Sequence, residues 1–136
     1  MGVERTLAIV KPDAIEKGLT GKIIAHLEAA GFTVTDLQMT RLSEPEARRF
    51  YEVHAERPFY HSLVAFMTSG RCVPMVLERK SAVSALRETI GATDPARAAE
   101  GTIRKLYADS VERNAIHASD SPENAEREIE FFFPRG

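Results

Sequence analysis

A single cysteine, Cys72, and no tryptophan occur among the 136 residues. One cysteine forms no intrachain disulfide, so the fold must be held by its core, and this usage suits a reducing cytoplasm. No apolar run approaches bilayer-crossing length, and the N-terminus has neither a basic region nor a long apolar segment, so no membrane association is expected. Met1-Gly2 with Thr6 fits the myristoylation pattern formally, but no polybasic patch accompanies it and chance explains the match. An excess of positive charge is also lacking: net charge is −2 and the pI is about 6.1. General nucleic-acid binding is thereby disfavoured, and an anionic ligand would have to be met by a few converging cations.

Several catalytic signatures are missing as well. Gly21-Lys22 is followed by Ile23 where a phosphate-binding loop needs Ser or Thr, and its first glycine would fall on Glu16. There is no G-x-G-x-x-G and no serine nucleophile elbow. His26, His54, His61 and His117 show no metal-ligand spacing, so no protein-built metal site is expected. His26, His54 and His61 read as helix-surface or loop histidines.

What is present is an ordinary globular balance, 43% apolar and 28% charged, in a length that suits one domain over residues 1–136. "RTLAIV" (5–10) is apolar on both faces and predicts a buried central strand, ended by Pro12, with Lys11 at its end. Thr20 predicts a helix cap, followed by Ile23, Ile24 and Leu27 on one face and stopped by Gly31. In "FTVTDLQMTRL" (32–42) the alternation changes register near Thr35-Asp36, which predicts a bulge. Ser43 and Glu46 form a capping-box signature, and a shorter helix is expected over 59–68. "CVPMVLE" (72–78) reads as a strand in which Pro74 belongs at an edge or a bulge. Residues 81–91 read as a helix with Val83, Leu86 and Ile90 inward. A long polar loop (92–113) with room for a helical turn inside it, a short strand near 115–117 and a helix from Pro122 to about Phe132 complete the chain. The order predicts a ferredoxin-like βαββαβ α+β sandwich, a four-stranded antiparallel sheet with helices on its faces.

The candidate chemistry lies in "NAIHASDSPENA" (114–125). His117 falls where a strand gives way to a loop, ahead of a helix capped by Ser121 with Pro122 in its first turn. In that helix Glu128 borders the inward stripe of Ala125, Ile129 and Phe132. An inward carboxylate needs a partner, and three offer themselves, His117, Arg127 or a surface lysine; the alternative is that Glu128 is simply solvated. Paired with one ring nitrogen it would leave the other free to attack. Lys11, Arg87 and Arg104 are candidate cations; spacing alone does not bring them together. Tyr51 and Phe59 read equally well as core aromatics.

These segments together resemble the nucleoside diphosphate kinases along essentially the whole chain. The likeness rests on "ERTLAIVKPD" (4–13), "ERPFYHSL" (56–63), "TSG" (68–70), "GATDP" (91–95), "GTIR" (101–104) and "NAIHASDS" (114–121), spaced and ordered as in that family. The resemblance implies magnesium-dependent, ping-pong exchange of the γ-phosphoryl group between nucleoside triphosphates and diphosphates, ribo and deoxyribo, in a cytoplasmic homo-oligomer, tetramer or hexamer. It implies His117 as nucleophile, Glu128 as its orienting carboxylate and Ser119 between them. Lys11, Tyr51, Arg87, Thr93, Arg104 and Asn114 match positions that hold phosphates and ribose, and Phe59 and Val111 the pair that sandwiches the base. The departures are Ala118 for the usual glycine after the histidine, Arg71 and Pro74 near the third strand, and Glu100 with "KLYADSVER" (105–113) in the long loop. If residue 118 needs a positive φ, Ala118 would strain the nucleophile. A weakened relative, acting as a nucleotide-binding or regulatory assembly module, is the rival reading.

Overall fold

A computed structural model describes residues 3–134; Met1 and Gly2, and with them the acylation pattern, lie outside the described residues. Four strands, β1 (Val3–Val10), β2 (Thr33–Leu37), β3 (Val73–Lys80) and β4 (Ile116–Ala118), form one sheet in the order β2-β3-β1-β4, every pairing antiparallel. The helices are α1 (Pro12–Glu16), α2 (Thr20–Ala29), α3 (Glu44–Phe50), α4 (Tyr60–Met67), α5 (Ala82–Ile90), α6 (Ile103–Tyr107) and α7 (Pro122–Phe132). This is the ferredoxin-like α+β arrangement that the pattern predicts.

The sheet is buried on both faces because Leu7–Val10 of β1 and Val73–Leu77 of β3 are unbroken apolar runs, with the charged residues confined to one end of each strand. Ala8, Val10, Val73, Met75 and Leu77 point to a core shared with Ile23 and Leu27 of α2 and Leu86 and Ile90 of α5. Leu7, Ile9 and Val76 point the other way, to Phe50, Tyr60, Met67, Ile129 and Phe132 of α3, α4 and α7. The two periodicities explain the layers: alternation of two along the strands, and inward stripes of three and four on the helices.

Local chemistry explains most boundaries. Ser43 Oγ accepts from Glu46 N at 3.3 Å while the Glu46 carboxylate accepts from Ser43 N at 2.9 Å, closing the expected capping box. Ser121 Oγ accepts from Asn124 N at 3.1 Å and starts α7. The register of β2 against β3 shifts between Val34 and Asp36, where the bulge is expected. The long segment 92–113 does hold helical turns, a 3-10 turn, Pro95–Arg97, and α6, capped by Thr102.

Three expectations need correction. Helix α1 is absent from the sequence reading, which took Pro12 only as a strand end; Pro12 opens the helix, where its missing N–H costs nothing. Thr20 is the first helical residue of α2 and caps nothing. The chain enters α2 directly from α1, with Leu19 N donating to Ala14 O at 2.9 Å, so no side-chain cap is needed. Pro74 lies in β3, an interior strand. Its carbonyl accepts from Gln38 N at 3.1 Å with no N–H to return, whereas Thr40 and Cys72 exchange two bonds of 2.9 and 2.7 Å just beyond. The proline thus removes one ladder bond at the very place where β2 ends, and the sheet tolerates it there. Among the described residues no helix is long and apolar enough to cross a membrane.

Candidate active site

The end of β1, the segment before β4 and the N-terminal part of α7 meet at a cleft of about 410 Å³. The β-sheet fixes its floor. His117 is the middle residue of β4 and pairs with Ile9 of β1, so its side chain points to the face covered by α3 and α7. The edge of the Phe50 ring stands behind the imidazole at 5.6 Å between centroids, and Tyr51 lies at 6.2 Å. The inward stripe of α7 carries Glu128 to the ring, where Glu128 Oε1 is 2.8 Å from His117 Nε2. Of the three partners open to Glu128, His117 is therefore the close one; Arg127 reaches the other oxygen only at 3.5 Å.

Ser119 is fully buried behind this pair and donates to the same Oε1 at 2.7 Å. A carboxylate that accepts from Ser119 and faces Nε2 requires the proton on Nε2, leaving Nδ1 with its lone pair toward the cleft. Burial pushes the Glu128 pKa up, but the attraction to the His117 ring and the bonds from His117 and Ser119 outweigh it, and the carboxyl stays below its ordinary range.

Lys11 follows the last residue of β1 and is 7% exposed, its ammonium donating to Asn114 Oδ1 at 2.9 Å. Burial, then the neighbouring Arg104, bring its pKa down to about 8. Asn114 Nδ2 donates onward to the Thr93 carbonyl at 3.3 Å. Arg104, on α6, is buried: its terminal nitrogens donate to Gly91 O at 3.1 Å and Ile116 O at 2.7 Å, while Nε has no partner among the described residues. Burial, then Arg87, push its pKa down to about 10. Arg87 extends from α5 into the same cleft. Tyr51 also has a hydroxyl with no partner among the described residues; its pKa is raised, chiefly by burial.

At the mouth the lining turns apolar. Val53, Phe59 and Val111 are 62, 47 and 55% exposed, so apolar surface of the cleft stays open to solvent. The sequence-derived site residues Lys11, Tyr51, Phe59, Arg87, Thr93, Arg104, Val111, Asn114, His117 and Glu128 all line this one cleft, and Ser119 supports it from behind.

Sequence reasoning missed other members. His54, expected away from the site, lines the cleft with its ring 5.4 Å from Phe59. Asp120, Asn124 and Arg127 also line it, and Asp13 of α1 is buried and bonded to Ala115 N in the segment before β4. The signal for the first three was available: they flank Ser121 and Glu128 on one helix start. Ala118 also differs from expectation. It is extended, paired with Ala8, and the positive φ falls on Ala115 at 74°. The anticipated strain at 118 is therefore absent, because a strand residue needs no left-handed backbone.

Comparison with known proteins agrees with this geometry. The profile of the family described as "Nucleoside diphosphate kinase" matches residues 4–136. A relative named nucleoside diphosphate kinase from Chlorobium chlorochromatii is 58% identical over 131 residues, 96% of this chain and 94% of that protein. Another from Anaeromyxobacter sp. is 55% identical over 98% of this chain and 92% of the relative. The crystal structure of the Aquifex aeolicus nucleoside diphosphate kinase superposes with a TM-score of 0.94 at 49% identity, covering 96% of this chain and 95% of that one.

Proposed function

The chain belongs to the nucleoside diphosphate kinase family and is a phosphotransferase, and we propose that it exchanges the γ-phosphoryl group between nucleoside triphosphates and diphosphates through phospho-His117. The observation that carries the assignment is the Glu128–His117 contact of 2.8 Å, which holds Nε2 and turns Nδ1 toward the cleft. In the first half-reaction Nδ1 attacks the γ-phosphorus. A P–N bond forms, the bond to the bridging oxygen breaks, and the nucleoside diphosphate leaves with the electron pair. The Nε2 proton stays between ring and carboxylate, which offsets the positive charge that the ring acquires. A different diphosphate then reverses the step. Ser119, by bonding Glu128, keeps that carboxylate in place.

The transferring group spreads negative charge over its oxygens, so the cations must be in position beforehand. Lys11, Arg87 and Arg104 supply them, with Thr93 and the free Tyr51 hydroxyl as neutral partners and Asn114 holding the ammonium toward phosphate and ribose. Phe59 and Val111 are suited to the two faces of a base. Stacking reads no base edge, which fits a site that accepts every nucleotide in turn, ribo or deoxyribo.

Among the described residues no three His, Cys, Asp or Glu side chains cluster as metal ligands. The cationic lining fits phosphate oxygens instead, so Mg²⁺ is proposed to enter on the nucleotide, held by phosphates that Lys11, Arg87 and Arg104 grip. When bound it neutralises charge on those phosphates. We also propose that residues 1–136 act as one domain, in the cytoplasm, as a homo-oligomer, tetramer or hexamer. The extended backbone at Ala118 removes the reason for reading the protein as a weakened nucleotide-binding or regulatory module.

The test is to incubate the pure protein with γ-labelled ATP. Acid-labile label should appear on the chain and be lost in His117→Ala, which should still fold. Acid-stable label, or label retained in the variant, would refute the nucleophile.

A further inference from the structure

Asp13 takes no part in the chemistry above, yet it is the most buried carboxylate near the cleft, 1% exposed in the first turn of α1. Its Oδ1 has no hydrogen-bond partner among the described residues, and its Oδ2 accepts from Ala115 N at 3.0 Å. Ala115 is the centre of a tight turn: its φ is 74°, and Ile116 N donates to Asn114 O at 2.9 Å across it. A three-residue turn with positive φ is strained for any residue with a Cβ. Lys11 N holds the other side of the turn, donating to Ala115 O at 2.9 Å. Both polar groups of Ala115 are thus fixed by the corner Lys11–Asp13. The turn has consequences on either flank: Asn114 meets the Lys11 ammonium, and Ile116 starts the strand that carries His117.

An asparagine would accept the Ala115 bond without a charge to bury. The Lys11 ammonium bonds Asn114 and the Asp13 carboxylate bonds Ala115, so one turn holds the two charges at adjacent residues, without a direct ion pair among the described residues. We propose that Asp13 is a positioning residue for the transfer reaction: its carboxylate pins the Asn114–Ile116 turn, and its negative charge sustains the Lys11 ammonium in the cleft. This rests on the reading of Lys11 as a phosphate contact.

The groups that face Lys11 are Arg104 from α6, Asp13 from α1 and Glu112 from the segment before β4. Burial and Arg104 lower its pKa; Asp13 and Glu112 resist, leaving it at about 8. Asp13's own pKa is raised by burial, against the pull of the Ala115 bond, Lys11 and Arg113. Removing the Asp13 charge should therefore move Lys11 further down, toward the working pH.

Three variants separate the two roles: Asp13→Asn, Asp13→Ala and the double change Asp13→Ala with Ala115→Gly. Without nucleotide, the Lys11 ε-methylene is titrated by NMR; with nucleotides, kcat/KM is followed against pH. In D13N the amide keeps an acceptor for Ala115 N. The Lys11 midpoint should fall by about one pH unit, and the alkaline limb of kcat/KM should fall with it. In D13A both roles are lost. kcat/KM should drop roughly tenfold or more at every pH, and A115G, which relaxes the positive φ, should restore part of that loss. A purely structural Asp13 would lower the melting temperature of D13N without moving the Lys11 midpoint, and that result overturns the charge role. A D13A defect that A115G does not relieve overturns the turn role. A midpoint that moves in a chain whose His117 takes no phosphate upholds the Asp13–Lys11 pair and refutes the kinase roles instead. If D13A does not fold, D13N and its midpoint decide the charge role.

Discussion

Replacing Lys11 by methionine should stabilise the fold while it removes transfer. The ammonium is 7% exposed, and its pKa stands at about 8 against an ordinary 10.5. At about 1.4 kcal/mol per pH unit, folding opposes the charge by roughly 3 kcal/mol at neutral pH, a figure that already contains the attraction of Asp13 and Glu112. Methionine fills similar space without the charge. Its cost is the stranded Asn114 Oδ1, which loses a 2.9 Å bond, about 1–2 kcal/mol. A net gain of about 1–2 kcal/mol remains, or roughly 3–6 °C in melting temperature for a chain of this length. The sign with pH follows from linkage. The folded pKa lies below the unfolded one, so between about 8 and 10.5 the unfolded chain binds more protons and wild-type stability rises with pH. The variant lacks that rise. Its advantage should shrink through the window, vanish at about pH 9 and be reversed by pH 10.5, where only the stranded amide remains. Thermal unfolding of both proteins at pH 7 and pH 10, beside nucleotide exchange assays, measures it. A variant less stable at pH 7, or a stability gap that ignores pH, would refute the reasoning.

Glu128→Gln should slow phosphorylation of His117 by about ten- to a hundredfold while nucleotide affinity holds, measured by single-turnover labelling and equilibrium binding. Equal losses in both would point to a collapsed site. Ala118→Gly should leave kcat within twofold, since the residue is extended in β4; a clear rise would restore the strain idea. Gly91→Ala should destabilise by about 2 kcal/mol or more, read by denaturant unfolding. Gly91 has φ 90°, and an added Cβ would sit 2.6 Å from Thr102 Oγ1.

The sequence made the sheet legible because β1 is apolar on both faces and the helices carry clear stripes. It failed where local rules were overridden. Pro74 reads as an edge residue, yet an interior strand accepts it because its neighbour ends there. Helix α1 is too short for any periodicity. The His117–Glu128 pair was readable as one of three options because both residues belong to a single strand–loop–helix unit. Lys11 and Asn114 are 103 residues apart in sequence, and no spacing rule joins them; only the family resemblance placed them together. Asp13 escaped because its partner is a backbone amide, which leaves no mark in a sequence.

The cleft is collected from nearly the whole chain: Lys11 lies close to one end of the sequence, Glu128 close to the other, and the remaining walls come from α5, α6 and the segments between. Competence is therefore withheld until α7 has been made. A nascent chain stopped before Pro122 would display the imidazole on its strand with nothing to aim it, and half-made copies could not spend triphosphates.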